Sequence, residues 1–213
     1  MKSKKKAALL AIGIIVFVLV IDQILKIWIK THLFLGEEIP VIDNWFLLHF
    51  VENEGMAFGF SFGGDSGKII LSLLRLVAVT AIGYYLYILI EKRSEPLKII
   101  VFSLILAGAL GNIIDSCFYG LVFTESTYYQ ISSFTLNHGY APFLHGKVVD
   151  MLYFPLIDTH WPEWMPFIGG KEFQFFRPVF NIADSSITIG VLLLLIFYKK
   201  LFGTSNPKAI SNK

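Results

Sequence analysis

The chain has 213 residues, of which 55% are hydrophobic and 16% are charged, and its formal net charge is +2 at pH 7. Soluble domains have about 45–50% apolar and about 25% charged residues, so the composition excludes an ordinary soluble domain and indicates a membrane protein. The one cysteine, Cys117, excludes an internal disulfide, and the fold therefore relies on no such covalent link.

Four apolar segments predict membrane-spanning helices, each close to the roughly 20 residues that cross a bilayer. The first follows a basic N-terminus, as in a signal peptide, but no small-residue cleavage site follows it, so we predict an uncleaved span. Small residues in the third segment, Gly108 and Gly111 among them, predict close packing between helices. The predicted spans are residues 7–29, 69–90, 97–115 and 182–201.

Two long connections, residues 31–67 and 116–181, separate these spans. Residues 45–51 are aromatic and branched, which is typical of a β-strand, and glycines punctuate the residues that follow. We predict a small antiparallel sheet lying on the membrane surface. The whole chain is then one mainly α-helical, membrane-embedded domain of residues 1–213, with four transmembrane helices, a small sheet and a surface loop or helix.

The distribution of basic residues predicts the orientation of the chain. Lysine and arginine crowd the N-terminus, the turn between the second and third spans and the C-terminus, and none occurs from Thr31 to Gly67. By the positive-inside rule, both termini lie in the cytoplasm and both long connections face outward.

Carboxylates converge on the outer side of these spans. Asp22 lies about 15 residues into the first span, ~22 Å along it at about 1.5 Å per residue, which is the outer third of the bilayer core. Asp115 ends the third span, Asp184 opens the fourth, and Asp150 lies in the outer connection. Taken alone, Asp184 is equally explained as a helix cap and Asp150 as an ordinary loop residue. Because acids in membranes are costly and usually functional, their common level predicts one site.

A pair of adjacent carboxylates suits peptide hydrolysis. Two such groups share one proton, since both cannot ionise cheaply. The charged member deprotonates a water and the protonated member polarises a carbonyl, as in aspartic proteases. Asn181 lies three residues before Asp184, so the two side chains share one helical face.

Three other classes of protein remain open from the residues alone. A small transporter or channel also uses intramembrane acids. A metalloprotease is disfavoured, because the five histidines include no His-Glu-x-x-His spacing. A nucleophile at Ser116 or Cys117 lacks an evident base.

Five blocks of the chain, in order, resemble the bacterial lipoprotein signal peptidase family, also called signal peptidase II. Each block is weak alone, but the ordered set is specific and spans nearly the whole chain. The blocks are Asp22-Gln23-x-x-Lys26, Val51-x-Asn53-x-Gly55-x-Ala57-Phe58, Gly108-Ala109-Leu110-Gly111-Asn112-x-x-Asp115, Gly146-x-Val148-Val149-Asp150 and Phe180-Asn181-x-Ala183-Asp184-Ser185.

The resemblance implies an aspartic endopeptidase of the inner membrane, with its site at the periplasmic face. It implies diacylglyceryl prolipoproteins as substrates, cleavage just before the lipidated cysteine, and Asp150 and Asp184 as the catalytic pair. We expect contact with membrane lipid, a monomer, no nucleic acid, no metal and no other cofactor. The supporting positions that the resemblance implies are Asn53, Gly55, Asn112, Gly146, Asn181, Asp22, Lys26 and Asp115.

The chain departs from the family pattern near the third block. Ser116 stands where the family usually has arginine, and Met56 stands where it usually has alanine. Arg75, in the second span, is explained either as a snorkelling side chain or as a substitute for the missing charge. Two aromatic insertions, residues 121–145 and 157–176, suggest docking onto the membrane or over the site.

Overall fold

The structure is a computed structural model that describes residues 3–54, 64–155, 157–175 and 178–203. Its helices are α1 (Lys4–His32), α2 (Gly64–Glu91), α3 (Pro96–Ile114), α4 (Gly120–Val122), α5 (Ile182–Ile196) and α6 (Tyr198–Phe202), and a π-helical turn, Asp115–Tyr119, joins α3 to α4. Its strands are β1 (Glu38–Ile42), β2 (Phe46–Asn53), β3 (Val148–Tyr153), β4 (Ile157–His160), β5 (Glu172–Phe175) and β6 (Val179–Phe180).

Apolar helices dominate the fold, which confirms the predicted mainly helical membrane protein. Residues Lys4–His32, Gly67–Glu91 and Pro96–Val122 form helices long and apolar enough to cross a membrane, and Ile182–Ile196 is a shorter apolar helix. Large apolar side chains point away from the protein along α1, including Phe17 at 66% exposed and Ile24 at 61%. Such a surface is stable against lipid.

Two predicted boundaries are wrong. The long connection expected from Ser116 begins after Val122, because the π-helical turn and α4 continue the helical path. Asp115, Ser116 and Tyr119 are buried there, which keeps this segment inside the bundle. The fourth span, expected to be continuous to residue 201, is interrupted at Phe197 (φ −99°, ψ 15°), whose backbone is not helical.

Helix α3 lies at the centre of the bundle and packs against α1, α2 and α5. Gly108 allows the closest approach, since a Cβ there would lie 2.2 Å from the carbonyl oxygen of Ala183 on α5. The small residues of α3 therefore bring the start of α5 against it, as the sequence predicted.

The main sheet has four antiparallel strands in the order β1-β2-β3-β6, and β4 pairs with β5 in a separate hairpin. Phe50, Val149 and Met151 bury one face of the main sheet against Ile29 and neighbouring side chains. Because side chains alternate along a strand, Asp150 is directed to the opposite face. The predicted strand at residues 45–51 corresponds to β2.

Candidate active site

Asp150 is a buried carboxylate held by two asparagine side chains. It lies in β3 opposite Val51 and is 3% exposed. Asn53, two residues along β2 from Val51, donates from Nδ2 to Asp150 Oδ2 at 3.3 Å. Asn181 donates from Nδ2 to Asp150 Oδ1 at 2.7 Å. Burial, and then the negative charge of Asp184, raise the pKa of Asp150 to about 7.

Asp184 lies in the first turn of α5 and is tied to the residue that caps the helix. Asn181 is the N-cap, so neither Asp184 nor Ser185 has that position. The Asp184 backbone N–H donates to Asn181 Oδ1 at 2.9 Å, and the Asn181 backbone N–H donates to Asp184 Oδ2 at 3.4 Å. Asn112 of α3 donates from Nδ2 to Asp184 Oδ1 at 2.7 Å. Asp184 is therefore the N3 member of a capping box rather than the cap itself, and its other carboxylate oxygen bonds to Asn112.

Asn181 joins the two aspartates into one site. Its side chain donates to Asp150 and its backbone donates to Asp184. The same Nδ2 lies 3.1 Å from Asn112 Oδ1, so the two asparagines are also linked. The strand that carries Asp150 and the helix that carries Asp184 thus meet where β6 turns into α5.

A second acidic pair lies directly behind this site. Asp22 Oδ2 and Asp115 Oδ2 lie 2.9 Å and 2.8 Å from Lys26 Nζ, and the side chains of all three residues are 0% exposed. Lys26 also donates to Asn112 Oδ1 at 3.0 Å. Asp22 Oδ1 accepts from the backbone N–H of Ala183 at 2.9 Å, which fixes the start of α5. The predicted cluster of Asp22, Lys26 and Asp115 is therefore a buried ion network that supports both Asn112 and α5.

Gly146 is required by a close backbone contact. A Cβ at this position would lie 2.0 Å from the carbonyl oxygen of Asp115, and the Gly146 N–H donates to the carbonyl of Ser116 at 2.9 Å. This contact attaches the start of β3 to the π-helical turn. Gly55 and Met56 lie outside the described residues.

Two groups of polar residues in this region had no role assigned from the sequence, although Gln23 belongs to the first of the five blocks. Gln23 donates to Asp115 Oδ1 at 3.0 Å and accepts from the Tyr119 hydroxyl at 3.1 Å. Lys30 is fully buried and pairs with Glu52. The spacing indicates a position for Lys30: it follows Lys26 by one helical turn, so both side chains lie on the same face of α1.

Two further features bear on the chemistry of the site. Among the residues that the structure describes, no group of three His, Cys, Asp or Glu side chains is arranged to hold a metal ion. Metal-free hydrolysis stays a prediction. A largely apolar groove of about 470 Å³ opens beside the Asp184 carboxylate. It is lined by Phe180, Asp184, Ser185, Thr188 and Ile189.

Comparison with known proteins assigns the family. Residues 14–200 match the family model described as signal peptidase (SPase) II. This chain belongs to the signal peptidase II family. A lipoprotein signal peptidase of Porphyromonas gingivalis is 50% identical over 189 residues, which cover 88% of this chain and 82% of that protein. The lipoprotein signal peptidase of Amoebophilus asiaticus is 37% identical over 187 residues, covering 86% and 75% respectively.

The fold of the signal peptidase II chain also matches a solved structure. The matching structure is described as a bacterial membrane enzyme. The match covers 95% of this chain and 94% of that one, with a TM-score of 0.57 and 28% sequence identity. The resemblance inferred from the five sequence blocks is confirmed. The chain is accordingly a membrane-embedded peptidase of the class that removes signal peptides from prolipoproteins.

Proposed function

We propose that Asp150 and Asp184 are the catalytic pair of an aspartic endopeptidase that cleaves diacylglyceryl-modified prolipoproteins just before the lipidated cysteine. The observation that carries this proposal is the shared partner Asn181, which bonds to both carboxylates. The hydrogen-bond donors that reach the two aspartates from the described residues are amides. Amides orient the carboxylates without neutralising them, so the pair keeps its capacity to exchange protons.

In the proposed reaction the two aspartates share one proton, which we assign to Asp150 at the start of the cycle; burial and the charge of Asp184 raise the pKa of Asp150 to about 7. The Asp184 carboxylate accepts a proton from a water as its oxygen attacks the scissile carbonyl carbon, while Asp150 protonates the carbonyl oxygen. The tetrahedral intermediate then returns that proton to Asp150. Asp184 protonates the leaving cysteine nitrogen, the C–N bond breaks, and the signal peptide leaves with a new carboxyl group.

Substrate binding is proposed to use the surfaces around Asp184. The apolar groove beside its carboxylate suits apolar parts of a membrane-bound substrate. Asn53, Asn112 and Asn181 are proposed as positioning residues, since each donates to a catalytic carboxylate. Asp22, Lys26 and Asp115 are proposed to support these asparagines from behind, and Gly146 is proposed to keep β3 in place. For Gly55 the role remains the one that the family resemblance implies.

We expect the enzyme to act as a monomer, in contact with membrane lipid, without nucleic acid or cofactor.

The proposed location is the inner membrane, with both termini in the cytoplasm and the site at the periplasmic face. This orientation is supported by the basic residues near the N-terminus, in the turn after α2 and near the C-terminus. A reporter that is active only in the periplasm, fused after Lys213, should be silent. Activity of that fusion would contradict the orientation.

The decisive experiment is cleavage of a synthetic diacylglyceryl peptide by purified Asp150→Asn and Asp184→Asn enzymes. Each substitution keeps the size of the side chain and removes the titrating group, so each should reduce kcat by about 10³-fold or more, because the pair acts as a unit. Asp158→Asn, in the β4–β5 hairpin, is the matched control and should cleave normally. Turnover near that of wild type by either site variant would exclude the proposed pair, and a loss of wild-type activity with a strong chelator would indicate metal chemistry instead.

A further inference from the structure

A buried ion pair lies behind the main sheet, on the side away from Asp150. It joins Lys30 of α1 to Glu52, the second-last residue of β2, and is called the rear ion pair below. The rings of Phe123 and Tyr140 lie 5.6 Å and 4.9 Å from the ammonium nitrogen, within the range of cation–π attraction. Removing two charges from water is costly, so a buried pair is weak evidence for stability. What this pair does fix is the position of β2 against α1.

The first aromatic insertion, residues 121–145, encloses the rear ion pair. Ser126 is buried, and its Oγ accepts from Lys30 Nζ at 2.8 Å and donates to Glu52 Oε1 at 3.0 Å. The two aromatic rings near the ammonium group belong to the same insertion. Phe123 also packs into the hydrophobic core behind the sheet. The insertion therefore forms an inner wall that closes over the pair.

The rear ion pair holds the strand residue next to a donor of the proposed active site. Glu52 is followed by Asn53, the last residue of β2, which donates to Asp150 Oδ2 at 3.3 Å. Glu52 pairs across the sheet with Val149, which belongs to the core behind it. Because successive side chains of a strand point to opposite faces, Asn53 is directed to the front. Fixing Glu52 behind the sheet thus fixes the backbone that presents Asn53 to Asp150.

The end of β2 is the place where such an anchor has the most effect. Terminal residues of an element open more easily than central ones, because fewer contacts hold them. The bond from Asn53 to Asp150, at 3.3 Å, is also longer than the 2.7 Å bond from Asn181 to the same carboxylate. Asn53 is therefore the donor that depends more on the support of its own strand.

We propose that the rear ion pair and Ser126 are positioning groups, which hold the end of β2 so that Asn53 stays bonded to Asp150. The inference rests on the proposed function, because these groups affect the reaction only through the catalytic pair. It gives the first insertion a role inside the enzyme, since Ser126 and the two rings enclose the anchor. The positioning groups act through Asn53 and take no part in proton transfer.

The test is a double-mutant cycle between Glu52→Gln and Asn53→Ala, assayed by cleavage of a synthetic diacylglyceryl peptide. Glu52→Gln should lower kcat about 10- to 100-fold, since a remote substitution that misplaces a group by about 1 Å can cost that much. In the Asn53→Ala enzyme the same substitution should lower kcat by less than about 3-fold, because the residue that it positions is gone. A loss of folded enzyme would instead lower activity by the same factor in both backgrounds.

Two further variants keep the cycle interpretable. Glu125→Gln removes an acid from the same insertion, but its side chain is 64% exposed, so kcat and KM should not change. Ser126→Ala keeps both buried charges and should lower kcat about 3- to 10-fold, again only when Asn53 is present. Thermal unfolding in detergent checks that each variant is folded, and Ser126→Ala carries the cycle if Glu52→Gln does not fold.

Amide hydrogen exchange gives a second readout that does not depend on catalysis. Glu52→Gln and Ser126→Ala should speed exchange at residues 51–53 about 10-fold or more relative to Glu125→Gln, because the strand end loses its anchor. This readout separates the inference from the proposed function. Normal cleavage by Asp150→Asn would reject the catalytic pair, whereas faster exchange in Glu52→Gln would still support the anchor.

Three outcomes would overturn the proposal. Equal kcat losses by Glu52→Gln with and without Asn53 would show that the rear ion pair only stabilises the fold. Wild-type kcat in both Glu52→Gln and Ser126→Ala would show that Asn53 is held without them. Unchanged exchange at the end of β2 in both variants would show that the strand needs no such anchor.

Discussion

Two pairs of aspartates lie side by side in this protein, and the groups that contact their carboxylates differ. Asp22 and Asp115 bracket the ammonium group of Lys26, at 2.9 Å and 2.8 Å. Asp150 and Asp184 are instead held by amide groups. Asp22, Asp115 and Asp150 are all buried and Asp184 is partly buried, so burial alone does not separate the two pairs.

The difference concerns the groups that surround each pair of carboxylates. The ammonium group of Lys26 lies at contact distance from both carboxylates, which gives Asp22 and Asp115 a structural role in an ion network. Amides orient a carboxylate while its protonated form stays accessible. Asn112 connects the two pairs, because its Oδ1 accepts from Lys26 and its Nδ2 donates to Asp184. Lys26 therefore also sets which end of the Asn112 amide faces the proposed catalytic pair.

The largest expected effect comes from removing the cation of the structural pair. Lys26→Met should lower the free energy of unfolding by about 3–5 kcal/mol, because it leaves two buried carboxylates without their partner. Thermal unfolding in detergent measures this loss. Lys5→Met, on the exposed start of α1, is the control and should change stability little. A Lys26→Met enzyme as stable as the control would mean that the two pairs do not differ as described.

A smaller effect is expected at the residue shared by both pairs. Asn112→Ala removes a hydrogen bond to Asp184 and an acceptor from Lys26, so kcat should fall about 10- to 100-fold and stability by about 1–3 kcal/mol. Steady-state kinetics with a diacylglyceryl peptide measure the first change. Asn137→Ala, at an exposed position, should leave both quantities unchanged. A normal kcat for Asn112→Ala would separate the two networks.

A third expected effect, confined to pH values between about 4 and about 7, is a pH dependence of stability that belongs to Asp150. Its pKa is raised to about 7 in the folded protein, against about 3.9 when unfolded, so the folded state binds more protons between these values. The free energy of unfolding should therefore fall as pH rises from about 4 to about 7. Asp150→Asn should flatten this decline, which thermal unfolding at several pH values measures. An equal slope in wild type and variant would contradict the assignment of the proton to Asp150.

The sequence alone was sufficient for the helices, the strand at β2 and the convergence of the acids. Apolar segments of bilayer length have few alternatives, since an unpaired backbone in lipid is too costly for anything but a helix. The ordered polar blocks also predicted Asp150, Asp184 and the supporting asparagines as one site, and the structure links these residues by hydrogen bonds. These features are local, because the position of a residue along a helix determines both its depth in the membrane and the helix face that carries its side chain.

Tertiary structure decided how those residues are connected. The sequence placed Lys26 and Asp22 together by helical spacing, but the Asp115 contact and the bond from Lys26 to Asn112 depend on the packing of α1 against α3. The extension of helical structure past Ser116 likewise depends on buried contacts. Which aspartates are matched by a cation and which by amides is a property of side chains from distant segments, and therefore only the assembled bundle determines it.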